Sequence, residues 1–326
     1  MKNRVVILGA SGFIGRRVVQ AVSRLDGVQA VAVSRHASAV PFAPGVEVAD
    51  ADVSTAEALE GAVSGAAGIV NCIAGSPDLI VAASKRLFDA AARMPSPPRV
   101  VHMSSLAAYG SVTGRIDESL VLRGDSDAYS AAKAETDRLA SNYRNGVALR
   151  PGIVYGPGSG WWSDRIARLL VRGRLGDLGD RGRGFCNLVY VDDVADAVVR
   201  ALNLEEGRLG PFNLSLSIPI TWNDYFAQYG AALGVPPRSV SGLRLAVETR
   251  VLAPPLKLLE ILLRTPGLAR ANPLPPLRPW LPAMCSHDIR MDVTRAERIL
   301  GMHWTPLSTG LRMTADWFLA GGRTVH

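Results

Sequence analysis

The chain has 326 residues, 48% of them hydrophobic, with 36 Lys and Arg against 29 Asp and Glu. That is enough apolar material for one large domain or two closely joined ones, and the net charge of +7 is scattered, without the compact Lys/Arg run and interleaved aromatics of a nucleic-acid surface. Cys72, Cys186 and Cys285 form neither a metal pattern nor a disulfide framework, no apolar run reaches membrane-span length and the first strand starts too early for a secretory leader, so the expectation is a cytoplasmic protein with no nucleic-acid partner, no membrane span and no bound metal.

Val5-Val6-Ile7-Leu8 predicts a buried strand. The run 16–25, with Val18, Val19, Val22 and Leu25 on one side, predicts an amphipathic helix. Between them lies Gly9-Ala10-Ser11-Gly12-Phe13-Ile14-Gly15. Strand, glycine turn and helix is the setting of a dinucleotide-binding fingerprint, spaced here G-x-x-G-x-x-G. Gly9 permits the tight turn, Gly12 lets the backbone approach a pyrophosphate, and Gly15 lets helix and strand pack closely. The amides around Ser11, Phe13 and Ile14 then face the phosphates.

The second strand, 29–34, ends in Ser34-Arg35-His36, where an NAD site usually carries an acidic residue for the ribose. A hydroxyl and a guanidinium suit a 2′-phosphate, and Arg16 is placed to help. The expected cofactor is therefore NADP(H) in preference to NAD(H); the competing reading makes Arg35 a solvated loop residue. A third strand at 46–49, a helix at 55–63 and a fourth strand at 68–72 follow. The fourth runs into Ile73-Ala74-Gly75, small residues suited to a chain passing close to a cofactor. A helix from 78 to about 93 and a strand at 100–103 continue an alternation that predicts an α/β fold with a doubly wound parallel sheet.

The fifth strand delivers Ser104-Ser105, and Tyr129-Ser130-Ala131-Ala132-Lys133 lies on a helical run over 127–142 that Asp125, Ser126 or Asp127 is placed to cap. Tyr129 and Lys133, four apart, share a helix face. A free phenol titrates near 10, roughly 1.4 kcal/mol per pKa unit, and a neighbouring ammonium favours its ionised form. A serine at a nearby strand end is placed to bond a substrate oxygen and orient it toward the tyrosine. Such Tyr/Lys pairs also arise by chance on solvated helices; arrival after a glycine turn and a serine-bearing strand end argues against coincidence here.

Taken together, GASGFIG at 9–15, Asp52-Val53, NCIAG at 71–75, SSLAAYG at 104–110, YSAAK at 129–133, LRPGIVYGPG at 149–158 and VYVDDVADA at 189–197 resemble the extended short-chain dehydrogenases/reductases of the NAD-dependent epimerase/dehydratase type. The resemblance implies a Rossmann-like fold, Tyr129 as acid/base with Lys133 as its partner, and Ser105 as the active hydroxyl. It also places Asp52 and Val53 at the adenine, Ala74 and Gly75 beside the cofactor, and Pro151, Gly152 and Ile153 along the nicotinamide. Sugar-nucleotide dehydratases of this type carry Asp-Glu where this chain has Leu106-Ala107, so dehydration is not expected. The nucleotide-sugar members tend to hold a sugar diphosphate with an asparagine after the PG segment; this chain has Gly160-Trp161-Trp162-Ser163-Asp164.

Beyond residue 156 the pattern changes. Residues 173–184 read as a mobile loop whose arginines (Arg172, Arg174, Arg181, Arg183) clamp an anionic substrate or are solvated. Asp192-Asp193 reads as a structural helix cap. Residues 243–264 read as apolar and helical, interrupted by Pro254-Pro255, and 266–282 as proline-rich, there to pack on the core, line an apolar pocket, touch a membrane or form a dimer contact. This layout resembles the C-terminal part of the 3β-hydroxysteroid dehydrogenase-like branch.

The resulting division is a dinucleotide-binding domain over 1–155, with 185–205 returning to it, and a substrate-binding portion over 156–184 and 206–326. The expected reaction is NADPH-dependent reduction of a ketone, or the reverse oxidation: Tyr129 protonates the oxygen, Ser105 bonds it, and Lys133 lowers the tyrosine pKa and holds the ribose. The alternatives are a nucleotide-sugar epimerase or 4-ketoreductase using the same residues, and a non-catalytic NADP-binding regulator. The substrate is expected to be a small-molecule ketone or alcohol, bulky and apolar, and the resemblance implies a homodimer.

Overall fold

Runs of Val, Ile, Leu and Ala set the strands, and a computed structural model describing residues 3–256, 277 and 280–322 shows how they assemble. In chain order they are β1 (Asn3–Leu8), β2 (Val28–Ser34), β3 (Glu47–Asp50), β4 (Gly68–Asn71), β5 (Arg99–Met103), β6 (Gly114–Ile116), β7 (Gly146–Pro151), β8 (Ile153–Tyr155), β9 (Leu188–Tyr190), β10 (Gly210–Leu214) and β11 (Ile289–Met291). Seven of them make one parallel sheet in the order β10-β7-β5-β4-β1-β2-β3. Its inner strands are buried along most of their length, as a sheet covered on both faces requires. β1 pairs with β2 on one side and β4 on the other. The chain reverses direction across the sheet at that point, which opens a crevice at the carboxyl ends of the strands.

Helices cover the two faces. On one, α1 (Phe13–Val22) and α6 (Val191–Leu202) bury Val18, Val19 and Val22 with Val194, Val198 and Ala201. On the other, α2 (Ala56–Val63), α3 (Pro77–Arg93) and α4 (Ala128–Asn142) bury Leu59, Val63, Leu87, Phe88 and Ala140. α1 starts at Phe13, three residues before the expected Arg16, because Gly12 is already its N-cap. Phe212-Asn213-Leu214, assigned from sequence to the substrate portion, instead forms the edge strand β10 against β7.

After Pro151 the chain leaves the large sheet. β8 pairs with β9, and β6 with β11. A second core gathers Tyr155, Trp222, Tyr225, Phe226 and Tyr229 with residues of α5 (Arg165–Val171), α7 (Trp222–Ala232) and the helix Leu307–Leu319. Three expectations need correction here. Arg174 is buried on Glu248, with Nε donating to Oε2 at 2.8 Å, so it is a structural cation and not a substrate clamp. Asp193 caps no helix: its carboxylate accepts from Thr305 N at 2.9 Å and Thr305 Oγ1 at 2.6 Å, tying α6 to the C-terminal segment, while Asp192 faces Arg17 at 3.6 Å. Pro254 and Pro255 do not interrupt the helix that begins at Gly242, which stays helical through Leu256. A π-turn at Glu248–Leu252 precedes them and takes up the register that the missing proline donors disturb. The expectations for 257–264 and for 266–276 lie outside the described residues.

One buried ion pair joins the elements that meet at the crevice. Arg150, near the end of β7, donates from Nε and Nη2 to Asp137 of α4 at 2.9 and 2.8 Å, and from Nη1 to the Tyr109 hydroxyl at 2.9 Å. That hydroxyl donates to Asn213 Oδ1 of β10 at 2.7 Å. Breaking one side of such a pair strands a buried charge, whereas replacing both by apolar groups is far less costly. Arg150→Met is therefore expected to lower unfolding stability by about 3–5 kcal/mol, read from the urea midpoint, and Asp137→Leu/Arg150→Met is expected to recover most of the loss. A single variant as stable as the parent contradicts this reading.

Candidate active site

Glycine geometry shapes the upper half of the crevice. At Gly9, φ is +76° and a Cβ would stand 2.5 Å from Cys72 O; at Gly15 it would stand 2.2 Å from Gly9 O. Both positions are forced by the protein's own backbone. Gly12 differs: its φ is −73° and a Cβ there comes no nearer than 3.3 Å to anything, so its bareness serves what approaches from outside. Gly9 and Ala10 donate to Val33 O at 2.9 and 3.1 Å, and Arg16 Nε donates to Ser11 O at 2.9 Å. The arginine suggested for the cofactor phosphate thus holds the turn itself. The start of α1, at Phe13 and Ile14, has no side-chain cap and no acid in its first turn, which leaves amide donors for an anion.

At the end of β2, Ser34 Oγ is buried and has no hydrogen-bond partner. Arg35 beside it is exposed. Asp50 stands opposite Ser34 in register, its carboxylate accepting from Ser38 N at 2.9 Å. Asp52 accepts from Ser54 N at 3.0 Å; bonds from Ser54, and then the charge of Arg35, hold its carboxyl below the ordinary range. Val53 is half-buried next to it. At the end of β4, Asn71 Oδ1 accepts from Ile73 N at 3.2 Å. The chain then passes through exposed Ala74 to Gly75, whose φ is +155°. Across the crevice Pro151 ends β7. Gly152 N donates to Leu214 O at 3.0 Å, Ile153 N donates to Asn187 O at 2.6 Å, and a Cβ at Gly152 would stand 2.1 Å from that same oxygen.

The lower half gathers Ser105, Tyr129 and Lys133. Ser105 caps a short 3₁₀ turn, Leu106–Tyr109, its Oγ accepting from Ala107 N at 3.1 Å. Asp127 caps α4 by accepting from Ser130 N at 2.7 Å, and Ser130 Oγ donates to Ala107 O at 2.6 Å. That bond fastens the Tyr129 helix to the Ser105 turn and brings the Ser105 side chain near enough to the Tyr129 phenol to lower its pKa. Lys133 is 5% exposed. Its Nζ donates to Met103 O at 2.8 Å and lies 5.7 Å from the centre of the Tyr129 ring.

The electrostatics differ from the sequence expectation of a phenol kept acidic by its lysine. Tyr129 is 42% exposed; partial desolvation of its ring in the crevice raises its pKa above the ordinary value, Ser105 works in the opposite direction, and Asp127 adds to the rise. Burial also lowers Lys133 from 10.5 to about 8, against Cys72 and Asp137, which favour its charge. Loss of water outweighs both partners' charges in this corner. Below Lys133 lies a neutral chain: Asn71 Nδ2 donates to Ser84 Oγ at 3.2 Å and to His102 Nδ1 at 3.1 Å, and His102 Nε2 faces Thr136 Oγ1 at 3.1 Å. Burial, with Lys133 second, pushes His102 down to about 3, so the imidazole is uncharged and its proton sits on Nε2, since Nδ1 accepts. Sequence reasoning missed Asn71, His102, Tyr109, Asp137 and Arg150. Arg150 carried a signal, a charged residue inside the apolar run Val147-Ala148-Leu149 and Pro151, which requires a buried partner.

The uncapped helix start, the open face of Gly12 and the orphaned Ser34 hydroxyl fit a dinucleotide. Comparisons with known proteins agree. Residues 5–214 match the model of the NAD dependent epimerase/dehydratase family. A Streptomyces sp protein named 3-diazoavenalumate denitrifying reductase is 32% identical over 256 residues, 72% of this chain and 83% of its own. Among solved structures, UDP-glucose 4-epimerase from Thermotoga maritima, with UDP-glucose, aligns over 98% of this chain and 99% of its own at TM-score 0.71 and 19% identity. dTDP-glucose 4,6-dehydratase from Bacillus anthracis, in complex with NAD, aligns over 98% and 97% at 0.72 and 17%. At such identities these two structures speak for the fold alone.

The lysine's depressed pKa gives a sign to its stability effect. Between about 8 and 10.5 the unfolded chain binds more protons than the folded one, so stability rises with pH across that window, and at pH 7 the buried ammonium is a cost on the order of 3 kcal/mol. Lys133→Met removes the cost and leaves Met103 O without its donor. The melting temperature at pH 7 is expected to hold or rise, and its increase between pH 8 and 10 to flatten. A variant that melts well below the parent contradicts the assignment.

Proposed function

The chain belongs to the NAD-dependent epimerase/dehydratase family, and from that premise we propose that it is an NADPH-dependent reductase converting a ketone to a secondary alcohol, or running the reverse oxidation. The observation that carries the reading is the corner where Ser105 lies beside the Tyr129 phenol while the Lys133 ammonium, held on Met103 O, faces the same ring. The nicotinamide, when bound, supplies or accepts the hydride. Gly9, Ser11, Gly12, Phe13, Ile14 and Gly15 hold the pyrophosphate, and Asp52 and Val53 border the adenine. Ala74, Gly75, Pro151, Gly152 and Ile153 line the nicotinamide half. Tyr129 delivers a proton to the carbonyl oxygen, Ser105 bonds that oxygen and orients it, and Lys133 holds the ribose and stabilises the phenolate left behind.

Support for NADPH is a neutral Ser34 with an unpartnered hydroxyl beside exposed Arg35. Departures at Leu106, Ala107 and the Trp161-Trp162 segment weigh against a sugar-nucleotide dehydratase or epimerase. Saturable binding of a UDP- or dTDP-sugar would restore that alternative.

The relative named a denitrifying reductase favours a second reading, in which the acceptor is a diazonium carbon. Hydride forms the new C–H bond, the C–N bond breaks, and its electron pair leaves with N₂. No proton need be delivered, so the two readings differ in what they ask of Tyr129.

Tyr129→Phe is expected to cut NADPH oxidation by ketones, followed at 340 nm, by about 10²–10⁴-fold. Undiminished ketone turnover would defeat the ketone reading. Turnover of an aryl diazonium that survives this substitution, with N₂ evolved, would select the second. Ser34→Asp sets a carboxylate against the 2′-phosphate and is expected to lower the NADPH:NADH ratio of kcat/KM by roughly tenfold or more; a parent enzyme that prefers NADH refutes the cofactor assignment.

A further inference from the structure

The helical stretch that begins at Gly242 is inverted relative to an ordinary surface helix. Its inward side carries the charge: Glu248 is buried on Arg174, next to buried Thr249. Its outward side carries Leu243 (79% exposed), Val247 (40%) and Val251 (62%), four residues apart and so in one row. Ser241 caps it by accepting from Arg244 N, so the row is set on a formed helix. Water is a poor solvent for such a face, and half of the large apolar side chains exposed among the described residues sit on this lobe, Val171, Trp161 and Trp280 with them.

The charge around the row is net positive. Residues 161–183 and 236–256 contain nine arginines and four acids, which places five of the chain's seven net positive charges in these two segments. Of the acids, Asp164 and Glu248 are buried against Arg168 and Arg174, and Asp180 is paired with Arg183. The segments are adjacent in space: Arg244 Nη2 donates to Gly173 O at 2.8 Å, and Asp177 N donates to Arg238 O at 2.9 Å. Arg165 lies over the Trp161 ring at 5.3 Å, while Trp162 meets Trp280 at 6.3 Å. Exposed aliphatic groups and tryptophans bordered by arginines are the composition of a face that enters the headgroup region of a bilayer. Among the described residues no helix is long and apolar enough to cross one.

We propose that this lobe docks on the surface of an anionic lipid membrane, with the Leu243–Val247–Val251 row entering the headgroup layer and the surrounding arginines meeting the lipid phosphates. The assignment is independent of the hydride acceptor. A second copy of the chain is the rival occupant, but the net positive charge of these two segments opposes self-association.

Flotation of the full-length protein with phosphatidylcholine vesicles, with and without phosphatidylglycerol, tests it. Binding is expected on the anionic vesicles, weaker by about tenfold on neutral ones and reduced by salt. Trp161 and Trp280 fluorescence should shift to the blue on binding. Leu243→Ser/Val251→Ser, neither of them among the residues assigned to the site, should weaken flotation by roughly fivefold or more and leave the far-UV spectrum and NADPH binding unchanged; Arg250→Gln should weaken it on anionic vesicles alone. No flotation on either vesicle, or equal flotation of parent and double variant, overturns the proposal. A sedimentation mass of twice 34.7 kDa that falls to the single value in the double variant overturns it too, and assigns the row to a second copy.

Discussion

The contact between Arg150 and Asp137 fixes the active corner. Asp137 lies on the helix that carries Tyr129 and Lys133; Arg150 directly precedes Pro151, where the chain turns along the crevice. Through Nη1, Arg150 also reaches Tyr109, four residues beyond Ser105. Three separate stretches of chain are thereby held at one point, and each supplies a group to the site. A buried ion pair contributes little net stability over apolar packing, so its value here is geometric. A guanidinium with five donors in a fixed plane has few ways to satisfy two carboxylate oxygens and a phenol at once, and each of those ways sets the spacing of helix, strand and turn.

Electrostatic tuning of the corner comes from desolvation more than from pairing. Lys133 titrates near 8, close to physiological pH, and so stands ready to exchange its charge. The groups facing it are Cys72 just past β4, His102 from β5, and Asp137 and Tyr129 from α4. Burial keeps His102 neutral, which removes a competing cation from beneath the ammonium, and burial raises the Cys72 thiol to about 12, which keeps a nucleophile out of the crevice. Only Asp137 favours the ammonium with a full negative charge, and Arg150 holds that carboxylate in place.

The readability of these features in the sequence follows the range of the interactions behind them. Local geometry was legible: Gly9 and Gly15 because no other residue fits where backbone crosses backbone, and the Tyr129/Lys133 face because helical spacing is fixed. The strand alternation gave the parallel sheet for the same reason. Pairings across long stretches of chain were not legible. Arg174 finds Glu248 across 74 residues and Asp193 finds Thr305 across 112, and nothing at either end names the other. The phenol's environment was misjudged on similar grounds: the lysine's proximity could be read from spacing, but the desolvation that raises the phenol's pKa is a property of the assembled crevice. At the end of β10, Phe212-Asn213-Leu214 was too short a run to reveal which sheet it would join.

Gly152 has a consequence for how this chain could change over time. It is the seam where one strand leaves the large sheet and the next enters the small one, and the oxygen of Asn187 occupies the space a side chain would need. Asn187 in turn clasps the backbone of Ile289 and Met291 at 2.9 Å each. At this seam the outer lobe is joined to the large-sheet core by backbone contacts and one amide, and beside it by side chains: Asp193 holds Thr305, and Ala296, Leu300 and Met302 pack into the core. Recombination that exchanges the outer lobe therefore has to carry residues 187, 193 and 289–305 as one unit, because a chimera that keeps the amide alone loses the side-chain contacts beside it.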